Sequence, residues 1–310
     1  MKQRENLLAY LALAFICVVW GTTYLALRIG VLAFPPFLFT AIRQLSAGLI
    51  LLLIAFTFIK RPVLNSRYII NQAIAGFMLI TLGNGLVAWA EMFIPSGIAS
   101  LICSTLPAVV VLINITTQKT EKVNSSILFG IFIGLVGMVL VFGEDLNAFA
   151  DNNYTIGIIF TFLATTSWAI GSFFVKRVNQ GINPIYSSAL QMFFGGIFLL
   201  IGSGLFDNTE NLVWTSDVIY ALLYLIVFGS LAAYMAYNYV ISKLPLTIVS
   251  LYSYINPLVA VSLGWWVLDE KLNMRIALAF LITVVGVYFV NRGYQGKSIF
   301  KTRKLKKSVI

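Results

Sequence analysis

The chain has 310 residues, of which 60% are hydrophobic and 10% charged. Soluble domains carry about a quarter charged residues, so this composition excludes an ordinary soluble protein and implies a chain that crosses a membrane many times. The net charge of +10 sits in short loops and a basic tail, which excludes nucleic acid as a partner; with no histidine and only Cys17 and Cys103, both inside apolar runs, no metal site, cofactor or disulfide framework is expected.

The first apolar run, 7–27, follows Lys2 and Arg4. It is too long for the core of a signal peptide and ends in Trp20 and Tyr24 without a small-residue cleavage site, so it reads as a first span. Further runs follow at 37–59, 70–90, 97–117, 126–143, 155–175, 185–206, 217–240, 246–268 and 275–292. The expected fold class is therefore an all-α integral membrane protein of ten transmembrane helices. Breakers punctuate the ends: Pro35-Pro36, Pro62, Pro95-Ser96-Gly97, Asn183-Pro184 and Pro245. If the N-terminus lies in the cytoplasm, the inside segments hold 17 basic residues and the outside segments three, Arg28, Lys271 and Arg275; Arg43 alone falls within a span. That asymmetry predicts both termini in the cytoplasm.

The halves repeat. Trp20 recurs as Trp168, Pro36 as Pro184, Arg43 as Gln191 and Gly48 as Gly196, all 148 positions on; Pro107 recurs as Pro257, 150 on. A steady offset indicates duplication. The expected organisation is a first five-helix repeat over 1–148, a second over 149–293 and a basic cytoplasmic tail over 294–310. Five spans per half is an odd number, so the repeats enter the membrane in opposite senses. Inverted repeats are characteristic of secondary transporters, whose site lies near the midplane between the halves. The tail is expected to meet anionic membrane lipid or to anchor topology.

Several residues stand out within the spans. Arg43 lies about two turns into the second helix, and charge there is costly unless it faces a cavity or a partner. Glu91 ends the third helix at the same side. Two readings remain open: a structural ion pair, or Arg43 binding an anionic group of substrate with Glu91 as a gate or a site for a coupling proton. Pro107 and Pro257 stand near the middles of the fourth and ninth spans, where each removes a backbone donor, and they are expected to act as bend points. Around Pro257 lie Ser250, Tyr252, Ser253, Tyr254 and Asn256. Helix eight presents Tyr234, Tyr237 and Asn238 on one face, helix three carries Asn84 and Trp89, and helix one puts Cys17, Trp20 and Tyr24 together. Together these suggest a cavity lined by rings and a few amides. Gly130, Gly134 and Gly137 read as a close helix-packing face.

Trp20-Gly21-Thr22-Thr23-Tyr24 leading to Arg28-Ile29-Gly30, then Pro35-Pro36 and Arg43, resembles the start of bacterial drug/metabolite transporters of the EamA type. Gly83-Asn84-Gly85, Ala90-Glu91, Pro95-Ser96-Gly97-Ile98-Ala99 and Ser253-Tyr254-Ile255-Asn256-Pro257 continue the likeness over nearly the whole chain. The resemblance implies two inverted five-helix repeats in a bacterial inner membrane, a small-molecule substrate such as an amino acid or related compound, often exported, and a cavity lined by helices one, three, four, six, eight and nine. That places Trp20, Asn84, Trp168, Tyr234, Asn238, Tyr254 and Asn256 as lining residues. The second copy departs from the first motif at Ala169 and Ile170, so the motif does not itself carry a symmetric role for Trp168. The chain shows no phosphate-binding loop, so ATP drive is not expected. The repeats suffice as a monomer, and a homodimer is equally compatible. Two rival readings are a membrane enzyme acting on lipid, which the lack of histidine and of intramembrane charge disfavours, and a sensor that keeps a transporter fold without transporting.

Overall fold

The computed structural model describes residues 2–59, 65–118, 123–142, 151–179, 182–210, 212–268 and 274–294. Among these residues all regular structure is helical. In chain order the helices are α1 (Lys2–Ala33), α2 (Pro36–Phe58), α3 (Ser66–Ala90), α4 (Ser96–Thr117), α5 (Ser125–Phe142), α6 (Asn152–Val178), α7 (Pro184–Phe206), α8 (Ser216–Lys243), α9 (Leu246–Val267) and α10 (Met274–Tyr294). By length and composition α1 to α4 and α6 to α9 are able to cross a membrane, which makes eight spans among the described residues. The expected spans at 126–143 and 275–292 coincide with α5 and α10, whose apolar stretches are shorter, Ser125–Gly137 and Ala277–Val290.

Helix starts follow local chemistry. Pro36 and Pro184 occupy the first turns of α2 and α7, where a missing N–H costs nothing. Asn65, Asp151, Asn183 and Thr215 cap α3, α6, α7 and α8 by accepting from Tyr68, Asn153, Ile185 and Val218 backbone N–H groups. Pro95 and Pro245 precede α4 and α9.

Four departures from regular helix fall at positions that were not legible in advance. α3 widens to i→i+5 hydrogen bonding over Phe77–Gly85, and α8 does so over Leu225–Ala232. The two stretches begin 148 positions apart, at the offset that relates Trp20 to Trp168. α4 is interrupted by a turn at Ser104 and Thr105, and α9 by one at Ser250 and Leu251. Hydroxyls return to the carbonyls these turns release: Ser104 to Leu101, Thr105 to Ile102, Ser250 to Thr247 and Ser253 to Ser250, at 2.6–3.0 Å.

Packing between the halves is reciprocal. α1 packs on α8 and α9, and α6 on α3 and α4; α2 packs on α8, and α7 on α3. α2 runs along α7, and α5 along α10. The last pair is close enough that a Cβ on Gly130 would stand 2.5 Å from the Gly286 carbonyl oxygen. The outer surface carries large apolar side chains such as Leu53, Phe206 and Trp266, while Arg43, Gln44, Gln72, Gln191 and Asn238 are buried inside. A soluble protein reverses that distribution; here the solvent on the outside is lipid.

Candidate functional site

A cavity of about 80 Å³ lies between α1, α2, α3, α4, α6 and α9. Its floor is aromatic. Trp20 and Trp168 meet edge to face with ring centroids 5.5 Å apart, and Tyr252 stands against Trp20 at 4.9 Å. Trp20 Nε1 donates to the Gly229 carbonyl at 3.0 Å, and Trp168 Nε1 donates to the Tyr237 hydroxyl at 2.8 Å. The widened turn in α8 explains the first bond. Gly229 lies inside that stretch, so its carbonyl is turned out of the ordinary helical ladder and is able to meet a side chain from α1. Ser172, one turn beyond Trp168, shares a 2.6 Å hydrogen bond with Tyr237 and closes the layer beneath the floor.

The walls are mixed. Arg43 reaches in from α2, and its Nε donates to Ser230 Oγ at 2.9 Å. Ser230 Oγ faces Gln44 Oε1 at 3.4 Å. Arg43 is only 4% exposed, so its charge is spent on the protein interior and the cavity rather than on bulk water. Tyr24, Cys103 and Asn256 share another part of the lining. In the orientation that satisfies its surroundings, the Asn256 amide nitrogen donates to the Tyr252 and Cys17 carbonyls at 3.0 Å each. Thr165 donates to Thr161 O at 2.8 Å and stands 3.6 Å from Cys103 Sγ. Asn84 also lines the cavity, with Nδ2 3.4 Å from Leu79 O inside the widened turn of α3.

Glu91 follows α3 directly and is fully buried. It acts electrostatically on Arg43, Tyr24 and Cys103. The cavity therefore carries one cationic side chain on its wall and one carboxyl in the shell behind it. A small molecule entering it would meet ring faces, hydroxyls, an amide and a guanidinium. That combination orients a polar group while offering apolar surface to the remainder.

Of the residues singled out from the sequence, Trp20, Tyr24, Arg43, Asn84, Trp168 and Asn256 come together on this cavity. Four lie elsewhere. Trp89 stacks with Phe93 and Phe160 at 4.9 and 4.8 Å. Tyr234 and Asn238 turn toward Gln191, whose Oε1 accepts from both at 2.7 and 3.3 Å. Tyr254 is buried against Gly134 of α5. Nor do the chain breaks fall on the two prolines. The turns precede them, Pro107 starting the resumed Leu106–Ile113 segment and Pro257 lying inside Tyr252–Leu268. Cys103, read from the sequence only as part of an apolar run, lines the cavity with Ser253. They are 150 positions apart, the offset of the two prolines, and that spacing was the available signal.

Comparison with known proteins agrees with this architecture. The sequence profile described as the EamA-like transporter family matches twice, at residues 7–143 and 155–292. An uncharacterized inner membrane transporter of Escherichia coli K12, YedA, is 33% identical over 300 residues, covering 94% of each chain. An uncharacterized transporter of Bacillus subtilis 168, YoaV, is 24% identical over 278 residues, covering 90% of this chain and 94% of its own. A crystal structure 18% identical in sequence superposes with a TM-score of 0.74 over 93% of this chain and 98% of its own, which establishes the fold alone. With a lined cavity inside an apolar-surfaced helical bundle, and with this match over both halves, the chain belongs to the EamA-like transporter family, as a multi-pass membrane transporter.

Proposed function

We propose that this chain is a secondary-active carrier that exports small metabolites, such as amino acids or related compounds, across a bacterial inner membrane by alternating access. The observation that carries the reading is the cavity itself, whose lining is drawn from helices of both halves and whose floor is the Trp20–Trp168 contact. Two inverted five-helix repeats account for the reciprocal packing, in which α1 meets α8 and α9 as α6 meets α3 and α4, while α2 and α5 run along their own counterparts α7 and α10. The double match of one family profile supports the same duplication. In this reading α5 and α10 complete ten spans as a closely packed pair at one side of the bundle.

The positive charge of the loops and tail supports cytoplasmic termini. On that topology Leu27, Val87 and Cys103 put the cavity toward the outer face. The layer of Ser172, Tyr237, Tyr234 and Gln191 beneath the tryptophans closes the inner face. Arg43 is assigned to an anionic group of the substrate and Glu91 to gating or proton coupling.

The test is counterflow. Purified protein in liposomes is loaded with pools of unlabelled amino acids, nucleosides or organic acids, and uptake of labelled members is followed with and without a pH gradient. Accelerated exchange for one class supports a carrier and names its substrate class. Ligand-stabilised melting of folded protein without exchange in any pool would instead assign a sensor.

A further inference from the structure

A second space, of about 480 Å³, lies where α6 ends and α8 ends, lined among others by Lys176, Asn179, Asn238, Ser242 and Lys243. Nothing in the transport reading so far uses it. Behind its lining residues Asn179 and Asn238 runs a chain of hydrogen-bonded amides. Gln72 Nε2 donates to Asn179 Oδ1 at 2.8 Å, and Gln191 Nε2 donates to Gln72 Oε1 at 2.8 Å. Gln191 Oε1 in turn accepts from Tyr234 and Asn238. Tyr234 lies against Trp168, ring centroids 6.2 Å apart, so the chain fills the space between this chamber and the cavity floor. Gln72 comes from the first half and the others from the second. The chain therefore crosses the plane along which the halves would part. Glutamines wholly buried in a membrane bundle are costly unless bonded, as these are.

One acceptor in the wall is left over. Asn238 Oδ1 has no hydrogen-bond partner among the described residues, and the side chain is 4% exposed on the chamber wall. An orphan acceptor of this kind is stabilised by an N–H or O–H supplied by a ligand. The same chamber is lined by the cationic residues Lys176 and Lys243. Lys176 Nζ donates to the Leu244 carbonyl at 2.6 Å, which holds its charge at the rim.

We propose that this chamber is a second substrate site, on the inner half of the path, for small molecules that carry a carboxylate beside an amino group. The lysines attract the carboxylate, Asn238 Oδ1 accepts from the amino group, and the Asn179–Gln72–Gln191 chain is the door between this site and the tryptophan floor. The proposal rests on the carrier reading above.

The test places one thiol in the chamber, Ser242→Cys, in the full-length protein in liposomes, with wild type and its two native cysteines as the blank. Anionic and cationic methanethiosulfonates of similar size are compared. The anionic reagent is expected to react about tenfold faster, and the preference is expected to vanish when Lys176 and Lys243 are both changed to glutamine. A mixture of free amino acids is expected to slow the reaction, the corresponding decarboxylated amines are not, and Asn238→Leu is expected to abolish the protection. Equal rates for the two reagents, or protection that survives Asn238→Leu, would overturn the proposal. If Asn238→Leu fails to fold, the lysine pair still decides through the charge preference. Exchange of amino acids without protection at this thiol would sink the chamber and leave the carrier reading standing; protection without exchange would do the reverse.

Discussion

Trp20 and Trp168, separated by 148 residues of sequence, meet edge to face at 5.5 Å, each held by its indole N–H to a group of α8. The contact joins the first helix of one half to the first helix of the other. It forms the base of the cavity although the sequence around the second tryptophan has diverged. The pair is therefore kept by geometry rather than by its neighbours, and the edge-to-face arrangement is one aromatic rings favour.

Removing the ring at Trp168 opens the floor. Trp168→Ala deletes a large, partly buried side chain, a change whose cost stays below the about 3–5 kcal/mol of a packed core, and counterflow is expected to fall by more than an order of magnitude. Trp168→Phe keeps a ring and loses only the hydrogen bond to Tyr237, which is worth about 1 kcal/mol. It is expected to retain most exchange with a modest loss in melting temperature. Equal exchange by both variants would show that the floor is not needed.

Arg43 is expected to act through its position as much as its charge. Arg43→Ala should abolish or redirect transport while protein still reaches the membrane. Gly229→Ala offers the complementary perturbation, because a Cβ there would stand 2.8 Å from Arg43 Nη2 and 2.9 Å from Thr23 Cγ2. The guanidinium is the end of a flexible side chain and is able to yield, so the fold survives while the charge is displaced from Ser230. The two variants are expected to share a substrate profile. Normal transport by Arg43→Ala would remove the assignment to a substrate anion.

Glu91→Gln preserves the shape of a fully buried side chain and removes its charge. If Glu91 couples flux to protons, the pH dependence of counterflow flattens in the variant while exchange at its optimum persists. An unchanged pH profile eliminates this residue as the coupling group.

Asp207 makes a prediction about stability. It follows α7 directly, and its Oδ2 accepts from the Leu38 backbone N–H at 2.8 Å, capping α2 from the other half. Burial raises its carboxyl above the ordinary carboxylate value, outweighing hydrogen bonds from Leu38, Ser203 and Phe37 that act the other way. In the window between the unfolded and the raised value the folded protein binds more protons than the unfolded chain. This group's contribution is therefore fully present below that window and is lost as pH rises through it. Asp207→Asn resembles the protonated acid and keeps an oxygen able to cap, so it is expected to remove that part of the pH slope in thermal melts, matching the wild type below the window and exceeding it above. Asp207→Ala loses the cap and should cost about 1 kcal/mol below the window and less above it. A slope unchanged in Asp207→Asn would show that another group sets it.

Much of this molecule could be read before its fold was known. Composition placed it in a membrane, Pro35-Pro36, Asn183-Pro184 and the prolines before α4 and α9 marked where helices begin, and the motifs at Trp20 and Asn84 pointed to the family. These are local or summed properties, each decided by residues near one another in the chain. Which side chains face the cavity was another matter. In a helix surrounded by lipid on one side and an apolar core on the other, hydrophobicity does not distinguish the faces, so the rotation of each span is set by its packing partners. Widening at Phe77–Gly85 and Leu225–Ala232 then turns the faces again. That is why Asn84 lines the cavity while Trp89, five residues on, does not, and why Ser230 meets Arg43 while Tyr234 and Asn238 turn to Gln191. The polar chain through Gln72 is decided in the same way, by contact between halves that lie over a hundred residues apart.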